Sequence, residues 1–311
     1  MRKILTLLLF AILLLPTPVL AGAPITIPNQ GILGGYMIDL TNVSDSFDEF
    51  NTGGDMAGVQ VVEVYTATWC ENCVYSEHAL MDALENESAT VLVNHRFIGE
   101  SQDPFGTQEG DDRWIDLYGE TSAEAASGLE RAAPSVVFDG HRFVAGSAPH
   151  GESLESDYAG MFADKHESRS WGLESDFKWT GDNSSGELSW SMDILPDEPE
   201  LMTWRHRLMV VEHSAYFPEG SNGLEHYDDI VRAVIELNVT GNNGTAVGGE
   251  QEITLPAAYD GDDLSLVVVH EWKQTPPAIE PNPNEGPASL PGFLAPLGLI
   301  ALGAAALTRR D

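Results

Sequence analysis

A Val-rich stretch that runs directly into two closely spaced cysteines constrains this chain most strongly. Residues 58–66 contain two strongly polar residues, Gln60 and Glu63, which would not share a strand face. Such a pattern is typical of a central strand that is covered on both sides. Cys70 and Cys73 follow where a helical pattern begins, and their separation brings both thiols to one helix face. The sequence therefore predicts a Cys70–Cys73 disulfide at the end of a buried strand.

The position of the pair favours redox chemistry over a purely structural bond. The positive end of a helix dipole stabilises the thiolate of Cys70, which is the form that attacks a disulfide, and Cys73 would then resolve the mixed disulfide. As a structural cross-link the pair would contribute little stability, because closing so short a loop lowers the entropy of the unfolded state by an amount equivalent to only about 2 kcal/mol. Attachment of c-type haem is excluded, since it needs His after the second cysteine and Val74 stands there.

Two differently patterned segments lie between the ends of the chain. Strand and helix patterns alternate over residues 58–167, which predicts an α/β domain that ends in a hairpin at Ser135–Val144. Apolar and polar residues alternate from Leu188 to Ile194, as in a half-buried strand. Several such strands with turns between them predict an all-β, sandwich-like domain over residues 168–273.

The sequence around the cysteines resembles the active-site motif of the thioredoxin superfamily. The run Ala67-Thr-Trp-Cys-Glu-Asn-Cys-Val74 joins a predicted strand to a predicted helix, and Ala133-Pro134-Ser135 resembles the segment that carries the family's cis-proline. The resemblance covers residues 58–166 and implies a thioredoxin-like α/β fold. It also implies that Trp69, Ala133 and Pro134 contact the extended strand of a substrate beside the cysteines.

Within that superfamily the chain is similar to a secreted group named after an outer-membrane protein. The similarity includes an Asp-Pro-Phe-Gly loop at 103–106 and the β-rich C-terminal segment. Many members of the superfamily carry a buried acid six residues before the first cysteine, but Val64 holds that position here. Glu63 lies one residue earlier, and a shift of one residue turns a strand side chain to the opposite face. We therefore do not expect Glu63 to carry the proton of the resolving thiol.

The N-terminus has the layout of a secretory signal peptide. Two basic residues precede an apolar run from Ile4 to Leu15, and small residues follow at 21–23. The apolar run is shorter than the roughly 20 residues that span a bilayer. Residues 1–23 are therefore predicted to be a cleaved signal peptide, which leaves a lead segment at 24–57. An uncleaved N-terminal anchor is the alternative.

The C-terminus predicts attachment to a membrane. A Pro-rich linker at 274–289 precedes the apolar segment 290–308, which just reaches spanning length, and the arginines of the tail 309–311 should stay in the cytoplasm. The Leu-Pro-Gly-Phe start of the apolar segment resembles the PGF-type sorting signals of archaeal surface proteins, in which the tail is clipped and replaced by a lipid. A plain tail anchor is the alternative. Both interpretations place the protein outside the cytoplasmic membrane and tethered to it.

The composition excludes several classes of partner and cofactor. Because 49 acidic residues stand against 15 Lys and Arg, the chain offers no basic patch for nucleic acid or anionic lipid headgroups. Two cysteines are too few for a four-thiolate zinc site or an iron–sulfur cluster. His206, His213 and His226, with acids near them, are conceivable metal ligands, but they are interpreted as polar surface residues of strands and turns, so no metal site is predicted.

These features together predict a membrane-tethered, extracytoplasmic thiol–disulfide oxidoreductase. Cys70 is the predicted attacking thiol and Cys73 the resolving thiol, and the pair carries the electrons without a diffusible cofactor. The predicted partners are protein thiols and disulfides, with an electron donor or acceptor that the sequence does not identify. The alternative is a non-catalytic cell-surface binding protein with a structural disulfide. The redox direction and the role of the β-rich segment stay open.

Overall fold

A computed structural model of the protein describes six stretches of the chain, at residues 23–41, 43, 48–85, 87–97, 103–194 and 202–275. The predicted signal peptide lies outside them except for Ala23. Residues 276–289 of the predicted linker, the apolar segment 290–308 and the tail 309–311 also lie outside them. The described residues up to Thr275 belong to one compact unit. Among them, no helix has the length and apolar character needed to cross a membrane.

Strands outnumber helices in this unit. The helices are α1 (Glu71–Leu84), α2 (Gln108–Ala125) and α3 (Leu154–Ala163), with a 3₁₀ turn at Glu167–Ser170. The strands are β1 (Ile25–Thr26), β2 (Gln30–Asp39), β3 (Asp48–Asp55), β4 (Gln60–Thr66), β5 (Ala89–His95), β6 (Ser135–Phe138), β7 (Arg142–Ala145), β8 (Glu174–Gly181), β9 (Ser185–Asp193), β10 (Met202–Tyr216), β11 (His226–Glu236), β12 (Gly241–Asn242), β13 (Ala246–Thr254) and β14 (Leu264–Gln274). The predicted β-rich character is confirmed, and it extends to the lead segment, which supplies β1, β2 and β3.

A nine-stranded sheet runs through the unit in the order β1-β7-β6-β4-β5-β11-β10-β14-β2. β5 pairs in parallel with β4 on one side and with β11 on the other. The pairing of Val93 in β5 with Ile230 in β11 joins a strand from residues 58–167 to a strand from residues 168–273. The structure thus differs from an α/β domain followed by a separate sandwich, because both segments build the same sheet.

A five-stranded sheet in the order β12-β13-β9-β8-β3 packs on one face of the C-terminal strands of the large sheet. Leu188, Trp190 and Met192 of β9 are buried, and the residues between them are more exposed, so the alternation seen in the sequence is present in the strand. These side chains share an apolar cluster with Val210 of β10 and Val268 of β14. The sandwich core is therefore formed between the small sheet and part of the large one.

Helix α2 covers the opposite face of the same C-terminal strands. Met209 of β10 and Val267 of β14 form an apolar cluster with Trp114 of α2 and Tyr65 of β4. The helix therefore spans the junction between β4 and the C-terminal strands. Because β14 is covered on both faces, its residues 264–272 are all buried. This explains why β14 carries the unbroken apolar run Leu266–Val269 and does not alternate.

Helices α1 and α3 lie on the other face of β4, β5 and β6. Leu80 of α1 and Tyr158 of α3 belong to an apolar cluster with Val64 of β4. Tyr158 also shares a 2.7 Å hydrogen bond with Ser76 of α1, which ties the two helices together. The sequence did not predict α3, although a capping box at Ser153 marks its start.

The β6–β7 hairpin turns at Asp139 and Gly140, both of which have positive φ (47° and 70°). A Cβ atom at Gly140 would lie 2.6 Å from Ile32, so this position requires glycine. The Asp139 carboxylate accepts hydrogen bonds from Gln60 Nε2 at 3.1 Å and from Arg169 Nη1 at 3.3 Å. Burial raises the pKa of Asp139 to about 6. These contacts fix the turn against the start of β4.

A buried ion network joins two parts of the large sheet beneath α2. Arg113 of α2 bonds to Glu63 of β4 and, from its Nε at 2.6 Å, to Glu271 of β14. Tyr118 donates a further hydrogen bond to Glu63. Burial alone would lower the pKa of Arg113, but the carboxylates of Glu63 and Glu271 hold it well above its usual value. The charged guanidinium therefore links β4 to β14 through α2.

Two histidines are buried between the sheets. His206 Nδ1 lies 2.9 Å from His270 Nδ1, and His270 Nε2 lies 2.7 Å from Ser175 Oγ. Trp190 packs on His206, with 4.4 Å between the ring centroids. Burial lowers the pKa of His206 to about 4 and holds that of His270 well below its ordinary value. The interpretation of His206 as a surface residue is therefore wrong.

We predict that Arg113→Met destabilises the protein by about 3–5 kcal/mol, because it removes the guanidinium from two buried carboxylates, of which Glu63 keeps the Tyr118 hydroxyl and Glu271 keeps Arg207. Urea unfolding measures the loss. Arg205→Met is the matched control, since Arg205 pairs with Asp116 at the surface, and it should change stability by less than about 1 kcal/mol. Adding Glu63→Gln and Glu271→Gln to Arg113→Met should recover part of the loss. Equal effects of the two arginine variants would contradict the role of the network.

We predict that His206→Gln makes stability less sensitive to acid. Between an ordinary pKa of 6.5 and the folded value of about 4, only the unfolded state binds a proton at His206. Stability of the natural protein therefore falls with falling pH by about 1.4 kcal/mol per pH unit from each such histidine. Urea unfolding across this pH range should give a shallower slope for His206→Gln than for the natural protein or for the exposed-site control His226→Gln. Parallel curves for all three would refute the prediction.

Candidate functional site

Cys70 and Cys73 lie where β4 ends and α1 begins. Cys70 is the N-cap residue of α1, and its backbone N–H donates to the Ala67 carbonyl at 2.9 Å. Cys73 lies in the first turn of the helix, and its N–H donates to the Cys70 carbonyl at 3.1 Å. The two sulfurs form a disulfide, with 5.3 Å between the Cα atoms. The pair therefore occupies the turn between a fully buried strand and its following helix.

The two cysteines differ in access to solvent. Cys70 is 7% exposed, whereas Cys73 is 0% exposed. An incoming sulfur can therefore reach Cys70 before Cys73. The Cys70 side chain makes no capping hydrogen bond in the disulfide state, and a thiolate there would face the first-turn N–H groups and the positive end of the helix dipole. The exposed Glu71 beside it opposes this negative charge.

The three predicted contact residues lie beside the disulfide. Trp69 and Ala133 pack against the apolar cluster that contains both cysteines. The Ala133–Pro134 peptide bond is cis, and the Pro134 carbonyl accepts a hydrogen bond from the Gly146 N–H at 2.8 Å. Pro134 leads directly into β6, which pairs with β4. The fold thus brings the proline segment next to the cysteines from a distant part of the chain.

A groove of about 620 Å³ opens beside the disulfide. Trp69, Ala133 and Pro134 line it together with Arg96 and Arg131. The Arg96 guanidinium carbon lies 5.5 Å from the centroid of the Trp69 ring, within the range of a cation–π contact. Neither arginine was identified from the sequence, because no local pattern connects them to the cysteine motif.

A partly buried carboxyl lies one helical turn after Cys73. Glu77 accepts a hydrogen bond from Thr66 Oγ1 at 2.5 Å. Burial raises its pKa, although Thr66 and the nearby His95 and His78 act in the opposite direction. Residues four apart in a helix share a face, so Glu77 is a neighbour of Cys73 on α1. The spacing from Cys73 was the one sequence signal that could have identified Glu77.

A small cavity of about 150 Å³ adjoins Glu77 and is lined by His95 as well. His95 Nδ1 lies 2.9 Å from Asp103 Oδ2, and the buried His95 Nε2 has no hydrogen-bond partner among the described residues. Asp103 also accepts the Thr68 N–H at 2.9 Å. Burial would raise the pKa of Asp103, but its interactions with His95 outweigh this effect and lower it. The Asp-Pro-Phe-Gly loop is thereby tied to the segment that precedes the cysteines.

Glu63 points away from the cysteines, since its carboxylate bonds to Arg113 and Tyr118. The histidines that were considered as ligands also lie apart. His206 is in the sandwich core, and His213 lies near Asp229 with 3.7 Å between Nδ1 and Oδ1. In the part of the chain that the structure describes, no group of three or more His, Cys, Asp or Glu residues could hold a metal ion.

We predict that Glu77→Gln stabilises the protein at alkaline pH. The raised pKa means that the folded state disfavours the carboxylate, so Glu77 lowers stability as the pH rises through its folded pKa. Glutamine is neutral and still accepts the Thr66 hydrogen bond. In urea unfolding at about pH 8 the free energy of unfolding of the variant should exceed that of the natural protein. The difference should vanish at pH values below 4.5, the ordinary pKa of a glutamate side chain. Asp82→Asn, at an exposed acid of the same helix, is the matched control. A loss of stability in Glu77→Gln at alkaline pH would contradict this account.

No protein-family model matches the chain, and no curated protein matches it. Seven chains of solved structures are similar to it, among them the following two. Protein AGR_C_4864 from Agrobacterium tumefaciens, a Northeast Structural Genomics Consortium target, is 15% identical with a TM-score of 0.43, over 71% of this chain and 97% of that chain. HBP35 of Porphyromonas gingivalis is 13% identical with a TM-score of 0.44, over 80% of this chain and 82% of that chain. Similarity at this level carries no argument about function.

These findings correct the family expected from the sequence. The assignment to the thioredoxin superfamily and to its secreted group is wrong, because no family model matches and the described residues are mostly β-sheet. The motifs that carried the resemblance fix only a strand–helix turn and one proline segment, whereas most of the large sheet is built from strands outside them. No match supports the resemblance of the C-terminus to PGF-type signals either. The geometry around the cysteines therefore has to carry the functional argument.

Proposed function

We propose that this protein is a thiol–disulfide oxidoreductase that acts on cysteines of other proteins. The observation that supports this best is the placement of the Cys70–Cys73 disulfide at a helix N-terminus, beside a groove of about 620 Å³. A structural bond needs no groove and no unequal access of its two sulfurs. An exchange site needs both, because one sulfur has to be accessible to the client while the other stays shielded and later resolves the mixed disulfide.

The exchange reaction uses the two cysteines in sequence. A client thiolate attacks Cys70 Sγ, the Cys70–Cys73 bond breaks, and its electron pair leaves on Cys73 as a thiolate. A second client thiolate then attacks the client sulfur of the mixed disulfide and releases Cys70 as a thiolate. The client gains a disulfide, and the protein gains two electrons and, after protonation, two thiols. The reverse sequence reduces a client disulfide, so the same geometry serves both directions.

Three features assist this exchange. The helix N-terminus favours the thiolate at Cys70, which lowers its energy as attacking or leaving group. The groove residues Trp69, Ala133 and Pro134 provide the surface against which an extended client segment would lie. Glu77, on the same helix face as Cys73, is a candidate to take up or supply the proton of the resolving thiol.

The proposed site of action is outside the cytoplasmic membrane, with the protein tethered through its C-terminus. The support is the signal-peptide pattern at 1–23 and the apolar segment 290–308 followed by two arginines. The electron donor or acceptor would be a second redox partner in the same compartment, since the cysteine pair holds only two electrons.

One observation favours a second candidate function. Cys70 is only 7% exposed, which suits a stable structural disulfide in a non-catalytic cell-surface binding protein. The two candidate functions differ in the reduction potential of the disulfide, because structural disulfides are much harder to reduce than exchange-active ones.

We predict that the Cys70–Cys73 pair of the full-length chain in detergent has a reduction potential between about −120 and −270 mV in glutathione buffers. We further predict that Cys73→Ala accumulates mixed disulfides between Cys70 and unfolded protein clients that carry a disulfide, because the Cys70 thiolate breaks the client disulfide and no resolving thiol then releases the client. Cys70→Ala is the matched control, and it should trap none because Cys73 is 0% exposed. A potential below about −300 mV with no trapped client would reject exchange and favour the binding protein. Trapping through Cys73 would reverse the assigned roles.

A further inference from the structure

The backbone of Thr68, two residues before Cys70, is held by two different parts of the chain. The Thr68 N–H donates to Asp103 Oδ2 at 2.9 Å, and the Thr68 carbonyl accepts a hydrogen bond from the Asn222 N–H at 3.1 Å. Asp103 belongs to the Asp-Pro-Phe-Gly loop, whereas Asn222 lies in the loop 217–225 between β10 and β11. A loop from the C-terminal strands therefore bonds directly to the segment that leads into the cysteine turn.

The loop 217–225 is fixed in turn by Tyr227, the second residue of β11. The Tyr227 hydroxyl donates to Asn222 Oδ1 at 2.8 Å and lies 3.5 Å from the Thr68 carbonyl oxygen. The same Asn222 oxygen accepts the Leu224 N–H at 3.1 Å. Tyr227 is buried, so its hydroxyl needs partners within the protein. These bonds hold Asn222 in the place where its backbone N–H meets Thr68.

The close approach of this loop to Thr68 depends on a glycine at position 220. A Cβ atom at Gly220 would lie 2.1 Å from the Tyr227 hydroxyl oxygen and 3.1 Å from the Thr68 carbonyl oxygen. A side chain there would therefore have to displace the loop. The Tyr227 ring also packs on Phe105 of the Asp-Pro-Phe-Gly loop, with 5.4 Å between the ring centroids. The two parts of the chain that hold Thr68 thus contact each other.

We infer that Tyr227 and Asn222 are positioning residues of the exchange site. They hold Thr68, and through it they keep Cys70 within reach of Cys73 when the disulfide is open. This inference rests on the proposed exchange function and assigns the C-terminal strands a part in it. Cys73 resolves a mixed disulfide by attacking Cys70 Sγ, which re-forms the disulfide and releases the client as a thiolate. The effective concentration of one sulfur at the other sets the rate of this step and the stability of the disulfide.

The test measures the redox equilibrium of the Cys70–Cys73 pair with glutathione in the full-length protein in detergent. Tyr227→Phe removes the hydroxyl and keeps the ring, whereas Gly220→Ala displaces the loop by adding a methyl group. Each variant should make the disulfide about threefold easier to reduce, which corresponds to a reduction potential higher by about 14 mV. After the reduced protein is mixed with oxidised glutathione, the rate at which Cys73 displaces glutathione from Cys70 should fall by about the same factor.

Two matched controls make the same chemical changes elsewhere. Tyr259→Phe removes a hydroxyl from another ring that packs on Phe105, with 5.1 Å between the ring centroids. Among the described residues, the Tyr259 hydroxyl bonds to neither Thr68 nor Asn222. Gly160→Ala adds a methyl group at an exposed position of α3, where a Cβ atom would have nothing within 4 Å. Both controls should leave the redox equilibrium and the rate of glutathione displacement unchanged.

The outcomes separate this inference from the proposed function. An unchanged redox equilibrium in Tyr227→Phe and Gly220→Ala, or a disulfide that is harder to reduce, would overturn the positioning role while leaving exchange intact. Urea unfolding of the oxidised and reduced forms checks this, because a purely structural role would lower the free energy of unfolding of both forms equally. An equal shift in the controls would also overturn the inference. Absence of any exchange between the natural protein and glutathione would reject exchange itself and the inference with it.

Discussion

The buried guanidinium of Arg113 is the interaction on which the rest of the fold depends. It bonds to Glu63 on the strand that precedes the cysteines and to Glu271 on a strand shared by the sandwich. Breaking either contact would remove an ion pair between buried groups, which is strongly unfavourable. β4, α2 and β14 are therefore held in one relative arrangement. Apolar contacts alone would tolerate small displacements of these elements, whereas the ion network does not.

The turn that contains Cys70 and Cys73 is fixed in position because β4, the strand that precedes it, is packed on both faces and paired at both edges. α1 and α3 cover one face of β4, α2 covers the other, and β5 and β6 pair with its two edges. The hairpin that follows the cis proline is anchored to the same strand through Asp139. The groove lining begins at the ends of these elements, since Asn72 lies in α1, Ala125 ends α2 and Pro134 precedes β6.

The sequence predicted local features well and long-range pairing poorly. The buried strand before Cys70, the helix after it, the turn at Asp139–Gly140 and the alternation in β9 all follow from patterns within a few residues. The joining of β5 to β11 does not, because the choice of strand partner depends on residues more than a hundred positions apart. The sequence pattern does not predict β2, because the glycines at 34 and 35 interrupt it. Both glycines have positive φ in the structure. Within the site, Arg96, Arg131 and Glu77 were missed because tertiary packing alone places the arginines in the groove and buries the carboxyl.

The shared nine-stranded sheet has a mechanical consequence for the cysteine turn. Among the described residues, β4, which precedes Cys70, and the strands that build the sandwich belong to one sheet and one compact unit. The turn consequently has no hinge of its own on which to swing toward a client. For the proposed exchange function, orientation of the groove toward a bulky client therefore requires rotation of the whole unit. The sandwich layer would then limit, by its size, which cysteines of a folded client the groove can reach.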